Sequence, residues 1–168
     1  MRRATAVLPA GEWDPATATA TVTLPFDQRF RRRIRWSDDG NTPFLLDLPR
    51  ATLLRDGDGL RLADGGLIRV LAAREPVAET RPVDAVTAAR LAWHLGNRHA
   101  PVQILPDGGL RLPDDPVLVA MLEGLGAVVR RLEAPFAPEG GAYGGGHGGG
   151  AHGADHDHHG HDHDHDHP

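Results

Sequence analysis

Along the first 75 or so residues the apolar positions recur with a period near two. Residues 19–24 are rich in β-forming side chains, and Phe30, Arg32, Ile34 and Trp36 alternate with Arg29, Arg31, Arg33 and Arg35. That alternation is the period of a half-exposed strand. Asp- and Gly-containing turn signals follow at 38–41, 56–59 and 64–66, and 44–48, 51–54, 59–62 and 67–71 each carry a short apolar run. Short strands between such turns predict a small all-β domain over 1–74. For the Arg-rich strand a solvated face is favoured over a docking face.

Near Glu75 the period changes. Residues 75–79 predict a strand, and 83–95 a helix with Ala85, Ala88, Ala92 and Leu95 on one stripe and Val86, Ala89 and Trp93 beside it. Gly96 and Asn97 are the residue types that close a helix in the left-handed conformation. A strand over 101–105, a turn at 106–109 and a return strand over 110–112 come next. Asp114-Asp115-Pro116 then opens a helix through Val117, Leu118, Met121 and Leu122 to about Gly124. A last strand covers 127–132. The order β-α-β-β-α-β is that of a ferredoxin-like domain, placed at 75–143. The fold class is therefore α+β.

From Gly140 onward the chain changes character: ten of its last 29 residues are Gly, nine are His and five are Asp. With almost no apolar surface to bury, residues 144–168 are expected to form a disordered tail when unliganded. The tail also carries all of the net charge of -5, because the body to Glu139 balances 18 Arg against 18 acidic residues. A neutral body argues against a nucleic-acid binder. There is no Cys, hence no disulfide framework, thiolate metal site or thiol nucleophile. No apolar run approaches the roughly 18–20 residues of a membrane span, and the N-terminal apolar stretch is too short for a signal peptide, so a cytoplasmic protein without membrane contact is expected.

Eleven His are present, and nine of them lie in the tail: His147, His152, His156, His158, His159, His161, His163, His165 and His167. Neutral imidazole suits Ni(II), Cu(II), Zn(II) and Co(II). A Gly-flexed chain lets several imidazoles converge on one ion, and the interspersed Asp raise the local cation concentration and accept from imidazole N–H groups. At two to four His per ion, such a tail would hold about two to four ions. Purification tags run six His in a row, whereas these alternate with Asp and Gly, so a native metal-binding role is the better reading.

The body holds only His94 and His99, which on an unbroken helix would sit about 140° apart and could not chelate as an i, i+4 pair. Spacing alone leaves His99 an ordinary junction residue as readily as a ligand. The stretch from His94 through Leu95-Gly96-Asn97-Arg98-His99-Ala100-Pro101-Val102 to Gln103, however, resembles the central motif of the UreE family of nickel metallochaperones. Residues 46–50, 54–58 and 136–143, the last followed by a His-rich end, resemble further patterns of that family.

The resemblance implies an N-terminal domain that engages protein partners or peptides, and a metal-binding domain that forms a homodimer. It implies that His99 of both protomers holds one ion at the two-fold interface, where the same residue is presented twice. His94 matches a less essential position. Auxiliary His ligands found in some relatives ahead of the second helix are absent from residues 112–116, which leaves the remaining ligands to the tail or water. The implied role is delivery of Ni(II), as cargo, to an activation complex of a GTPase and apo-urease. An imidazole site with water-filled positions suits a carrier that must exchange its ion quickly. The alternative is a His-rich storage or detoxification protein in which the tail is the whole function. An enzyme is disfavoured, because a hydrolytic metal site wants several fixed ligands and a general base.

Overall fold

The expected turns place their left-handed residues where the chain reverses: Gly57 and Gly65 take φ of 84° and 92°, and in the turn at 38–41 it is Asn41, at 61°, that does so rather than Gly40. These values come from a computed structural model, which describes residues 1–140. The N-terminal half is sheet-rich, with strands β1 (Arg2–Leu8), β2 (Ala20–Leu24), β3 (Phe30–Ser37), β4 (Pro43–Leu53), β5 (Gly59–Leu62) and β6 (Leu67–Ala72). They form one sheet of order β2-β6-β5-β1-β4-β3, in which β1 runs parallel to β4 and β2 parallel to β6. Phe44, Leu46, Leu60, Ile68 and Val70 alternate inward and form its core, all fully buried. The turn after β3 reaches the opposite edge strand: Asp39 N–H donates to the Thr21 carbonyl at 2.8 Å, and the Asp39 carboxylate accepts from Thr23 N–H at 2.9 Å.

Three expectations for this half need correction. β1 was not foreseen. The runs at 44–48 and 51–54 are one strand, β4, interrupted where Pro49 falls: pairing to β3 breaks between Asp47 and Thr52, opposite an irregularity at Arg32, so the missing N–H of Pro49 leaves no ladder bond unmade. That same irregularity ends the simple alternation of β3. Ile34 and Trp36 are half-buried as expected, but Phe30 and Arg32 face solvent. Arg29, expected on the exposed face, is the most buried charged side chain of the domain at 2% exposure.

The C-terminal half is α+β: β7 (Arg74–Thr80), α1 (Ala85–Gly96), β8 (Gln103–Ile104), β9 (Leu110–Pro113), α2 (Pro116–Gly124) and β10 (Val129–Pro135). The element order is the expected β-α-β-β-α-β, and the strands lie β10-β7-β9-β8 with every neighbour antiparallel. Asp84 and Asp115 cap the two helices, Asp84 accepting from Thr87 N–H and Asp115 from Val117 and Leu118 N–H. Ala78, Leu110 and Leu112 of the sheet meet Leu91 and Leu95 of α1 and Val119 and Leu122 of α2 in one buried cluster. Successive residues of a strand face opposite ways, so Val77 lies on the other side of β7. There it joins Ala134 and Phe136 in a smaller cluster against Phe26 of the N-terminal half. Around it Phe26 and Phe136 pack edge to face at 5.4 Å, Phe26 N–H donates to Glu75, and Arg29 donates to the Phe136 carbonyl. That buried bond accounts for the position of Arg29.

The buried stripe of α1 also differs from expectation. Leu91 and Leu95 are buried and Thr87, Ala88 and His94 half-buried, whereas Ala85, Ala92, Val86, Ala89 and Trp93 face solvent. Two Leu at i and i+4 remove more apolar area from water than any Ala pair, and they set the helix's orientation. The expected tail, 144–168, and residues 141–143 of the expected second domain lie outside the described residues.

Candidate metal centre

Both helices of the C-terminal half end the same way, and the comparison isolates His99. At the end of α2, Ala127 N–H donates to the Leu122 carbonyl at 3.0 Å and Gly126 N–H to that of Glu123 at 2.9 Å; Gly126 takes φ of 86°. At the end of α1, Ala100 N–H donates to the Leu95 carbonyl at 3.2 Å and His99 N–H to that of Gly96 at 2.9 Å; His99 takes φ of 51°. These paired 6→1 and 5→2 bonds are the Schellman motif, with Ala100 and Ala127 packed back onto the cores that hold Leu95 and Leu122. Its left-handed position is ordinarily glycine, as Gly126 is in α2. In α1 a histidine occupies it.

The expected closure at Gly96-Asn97 is thereby corrected. Asn97 stays right-handed at φ of -63°, and Arg98 intervenes before the reversal at His99. The consequence is geometric. A left-handed residue turns its Cβ away from the helix it terminates, and the His99 side chain stands in solvent instead of against the sheet. His94 lies one turn earlier, half-buried, its ring meeting the Trp93 ring edge-on at 4.9 Å. Arg98 Nη1 donates to the His94 carbonyl at 3.2 Å, a cation bonded at the negative end of the helix dipole. Any ion held by His99 would gain from the same field.

Among the described residues no group of three or more His, Asp and Glu side chains stands together as a cation cage. His99 therefore offers a single exposed imidazole, and a metal centre built on it requires donors from beyond residue 140 or from another molecule. Two further features belong to the same domain. Val86, Ala89 and Trp93, at i, i+3 and i+7 on α1, form an exposed apolar stripe, with Trp93 63% and Val86 68% accessible. The segment after β10 also folds back across β8: Glu139 N–H donates to the Val102 carbonyl at 2.8 Å, and Ala137 N–H to Gln103 Oε1 at 3.1 Å. The root of the tail is thus tied to the strand that begins only four residues after His99. Neither feature is legible in the sequence, since apolar periodicity places the stripe beside the core and the return of 136–139 depends on groups far apart in the chain. The nine tail imidazoles, His147 to His167, lie outside the described residues.

Comparison with known proteins agrees with both halves of this architecture. Residues 4–73 match the family model for the N-terminal domain of the UreE urease accessory protein, and residues 75–167 match the model for its C-terminal domain. A urease accessory protein UreE of Bradyrhizobium sp. (strain ORS 278) is 54% identical over 143 residues, covering 85% of this chain and 67% of its own. The UreE of Bradyrhizobium sp. (strain BTAi1) is 50% identical over 157 residues, 94% of this chain and 73% of its own. That of Beijerinckia indica is 48% identical over 145 residues, 86% of this chain and 83% of its own. With two consecutive domain models matched and relatives near half identity along most of the chain, this protein belongs to the UreE urease accessory protein family.

Proposed function

We propose that the chain is a nickel carrier in urease maturation: it collects Ni(II) on the His-rich tail and hands it over at a site built on His99, without catalysing a reaction. The observation that carries this reading is the exposed imidazole of His99 in a left-handed position where the second helix of the same domain uses glycine. A non-glycine residue there is conformationally unfavourable, and a task for the side chain would account for its presence.

The remaining ligands come from symmetry and from the tail. A homodimer formed along the exposed stripe of Val86, Ala89 and Trp93 would cover apolar surface and bring two copies of the end of α1 together, supplying His99 twice. His94, one turn earlier and half-buried, is a neighbouring ligand or a support for the helix end. The tail root tied at Val102 lies within about 11 Å of His99 along the chain, and the eight residues from Glu139 to His147 span up to about 28 Å when extended. Tail imidazoles can therefore reach the His99 pair directly. Zn(II), Cu(II) and Co(II) would occupy the same imidazoles in vitro. The recipient is a urease-activation GTPase together with apo-urease, in the cytoplasm.

Nickel titration of the full chain and of its His99→Ala variant, with molecular mass measured in parallel, tests the proposal. The variant should remain dimeric and lose one ion per dimer. A store would hold its ions on the tail alone, so unchanged stoichiometry and affinity in His99→Ala would favour storage over transfer.

A further inference from the structure

The metal-transfer reading uses nothing of the Arg-rich strand β3, of whose eight residues four are Arg and none is acidic. Ile34 and Trp36 pack against the N-terminal core, so the alternating Arg33 and Arg35 point outward. Arg3 of β1 joins them on the outer face, opposite Leu45 of β4, which also pairs with Arg35. Asp47 of β4 is the one carboxylate of these three strands, and Arg3 and Arg33 share it, the latter with Nε 3.7 Å from Oδ1. Arg32, Arg35 and Arg50 are exposed, and among the described residues no carboxylate lies within ion-pair distance of them. These five Arg against Asp47 leave an excess of four positive charges on a body that is neutral as a whole. The net negative charge of the chain lies in the tail, whose five Asp fall between 155 and 166 with no Arg among them.

The tail sets out from the same place. Gly140, the last described residue, lines a cleft together with Leu53 and Arg55. Leu53 pairs with Phe30 and Thr52 with Arg31, so the chain reaches residue 140 beside the end of the β3–β4 ladder at which the Arg run begins. Nine of the fifteen residues 140–154 are Gly. Fifteen residues of a Gly-rich coil span about 20 Å on average and about 50 Å at full extension, against about 25 Å for the length of β3. We infer that this Arg-rich face is the docking surface of the chain's own acidic tail in the metal-free state, and that metal loading of the tail releases it. The docking stands on charge and reach; the release rests on the proposed binding of metal by the tail imidazoles. Single exposed ion pairs are weak, but several act together here, and the tether holds the tail at an effective concentration that a free acidic molecule would have to match. Each divalent ion on neutral imidazoles adds two positive charges, so two to four ions take the tail from -5 to between about -1 and +3 and remove the attraction. An empty tail is thereby kept on the N-terminal half, and a loaded one is set free for the C-terminal half.

The chain holds no Cys, so Ala154→Cys in the full chain gives a single thiol for a nitroxide label beside the five Asp. In chelator, at low salt and about pH 8 where imidazole is neutral, the label should broaden the backbone amide resonances of Arg33 and Arg35. Replacing all five tail Asp by Asn leaves the folded halves untouched and should cut that broadening roughly threefold or more, as should about 1 M salt, where the Debye length falls to about 3 Å. Arg33→Gln combined with Arg35→Gln should do the same, read at the Ile34 amide. Zn(II), which is diamagnetic and suits the same imidazoles, should relieve the broadening as fully as the Asn tail does, with bound zinc counted in the same sample. Amides that stay sharp in chelator would overturn the docking, and so would broadening that survives the Asn tail, which would be proximity of the tether alone. Broadening seen only between a nitroxide-labelled copy and an isotope-labelled one would place the tail on another molecule and overturn it likewise. Broadening unchanged by bound zinc would overturn the release. Absence of bound zinc would sink the carrier reading itself, and the release with it. His99 takes no part in the readout, so failure here is distinct from an unchanged nickel titration of His99→Ala.

Discussion

Replacing His99 by glycine should stabilise the metal-free protein while removing the residue on which the proposed metal centre depends. A left-handed L-residue costs about 1–2 kcal/mol relative to the right-handed conformation, and histidine tolerates it better than most. Glycine removes that strain but loses more backbone freedom on folding, by roughly 0.5–1 kcal/mol. The His99 side chain is exposed, so no buried contact is forfeited, and both Schellman hydrogen bonds are made by backbone groups that the substitution keeps. The net expectation is a gain of about 0.5–1 kcal/mol, or roughly 1–4 °C in Tm for a cooperative unit of this size. His99→Ala keeps the strain and should be near neutral. The converse substitution, Gly126→Ala, should cost about 1 kcal/mol; an added Cβ meets nothing within 4 Å there, so the loss would be purely conformational. Urea and thermal unfolding in chelator would measure all three. A destabilised His99→Gly alongside a destabilised Gly126→Ala would refute the reasoning, because it would mean that the His99 side chain holds the helix end in place.

Other outcomes follow from the caps, the buried carboxylates and the imidazoles. Asp115→Ala strips two N–H groups at the start of α2 of their acceptor and should cost about 1 kcal/mol in urea unfolding. The hydrogen bond from Arg2, with those from Thr42 and Gly40, holds the Asp38 carboxyl below its ordinary range. A depressed folded-state value contributes stability above the unfolded pKa of about 3.9 and loses it as pH falls below that. The gap in unfolding midpoint between wild type and Asp38→Asn should accordingly be widest near neutrality and narrow between about pH 4 and pH 2. Nickel bound to the full chain should be released as pH drops through about 6.5, since imidazole coordinates only when neutral. Stoichiometry unchanged at pH 5 in equilibrium dialysis would assign the ions to Asp instead.

How much of this could be read from the chain depends on how local the physics is. The Asp115 cap, the glycine turns and the order of strands and helices from Glu75 on are determined by neighbouring residues, and the sequence reveals them; Asp84, read as part of a helix over 83–95, is instead the cap of one that starts at Ala85. β1 was missed because Arg2, Arg3 and Thr5 break its apolar pattern, and because what stabilises it is pairing to β4 and β5 some 40 to 60 residues away. Arg29 reads as one more arginine in an alternating run; only the Phe136 carbonyl, 107 residues on, makes it a buried side chain. The buried stripe of α1 does not follow the number of apolar positions, because Leu91 and Leu95 outweigh the alanines in size. His99 was legible as a motif residue but not as a left-handed one, because Gly96 and Asn97 offered the more usual place to end a helix.

The claim that His99 is the point of transfer is tested most directly by urease activity in cells whose only copy of this protein carries His99→Gly, assayed at limiting and at abundant nickel. In the proposed dimer one substitution would remove both symmetry-related ligands from a fold expected to be at least as stable as wild type, so loss of activity could not be ascribed to misfolding. Urease activity should collapse at limiting nickel and recover at least partly when nickel is abundant. Wild-type activity at limiting nickel would contradict the account and leave the tail as the site that matters.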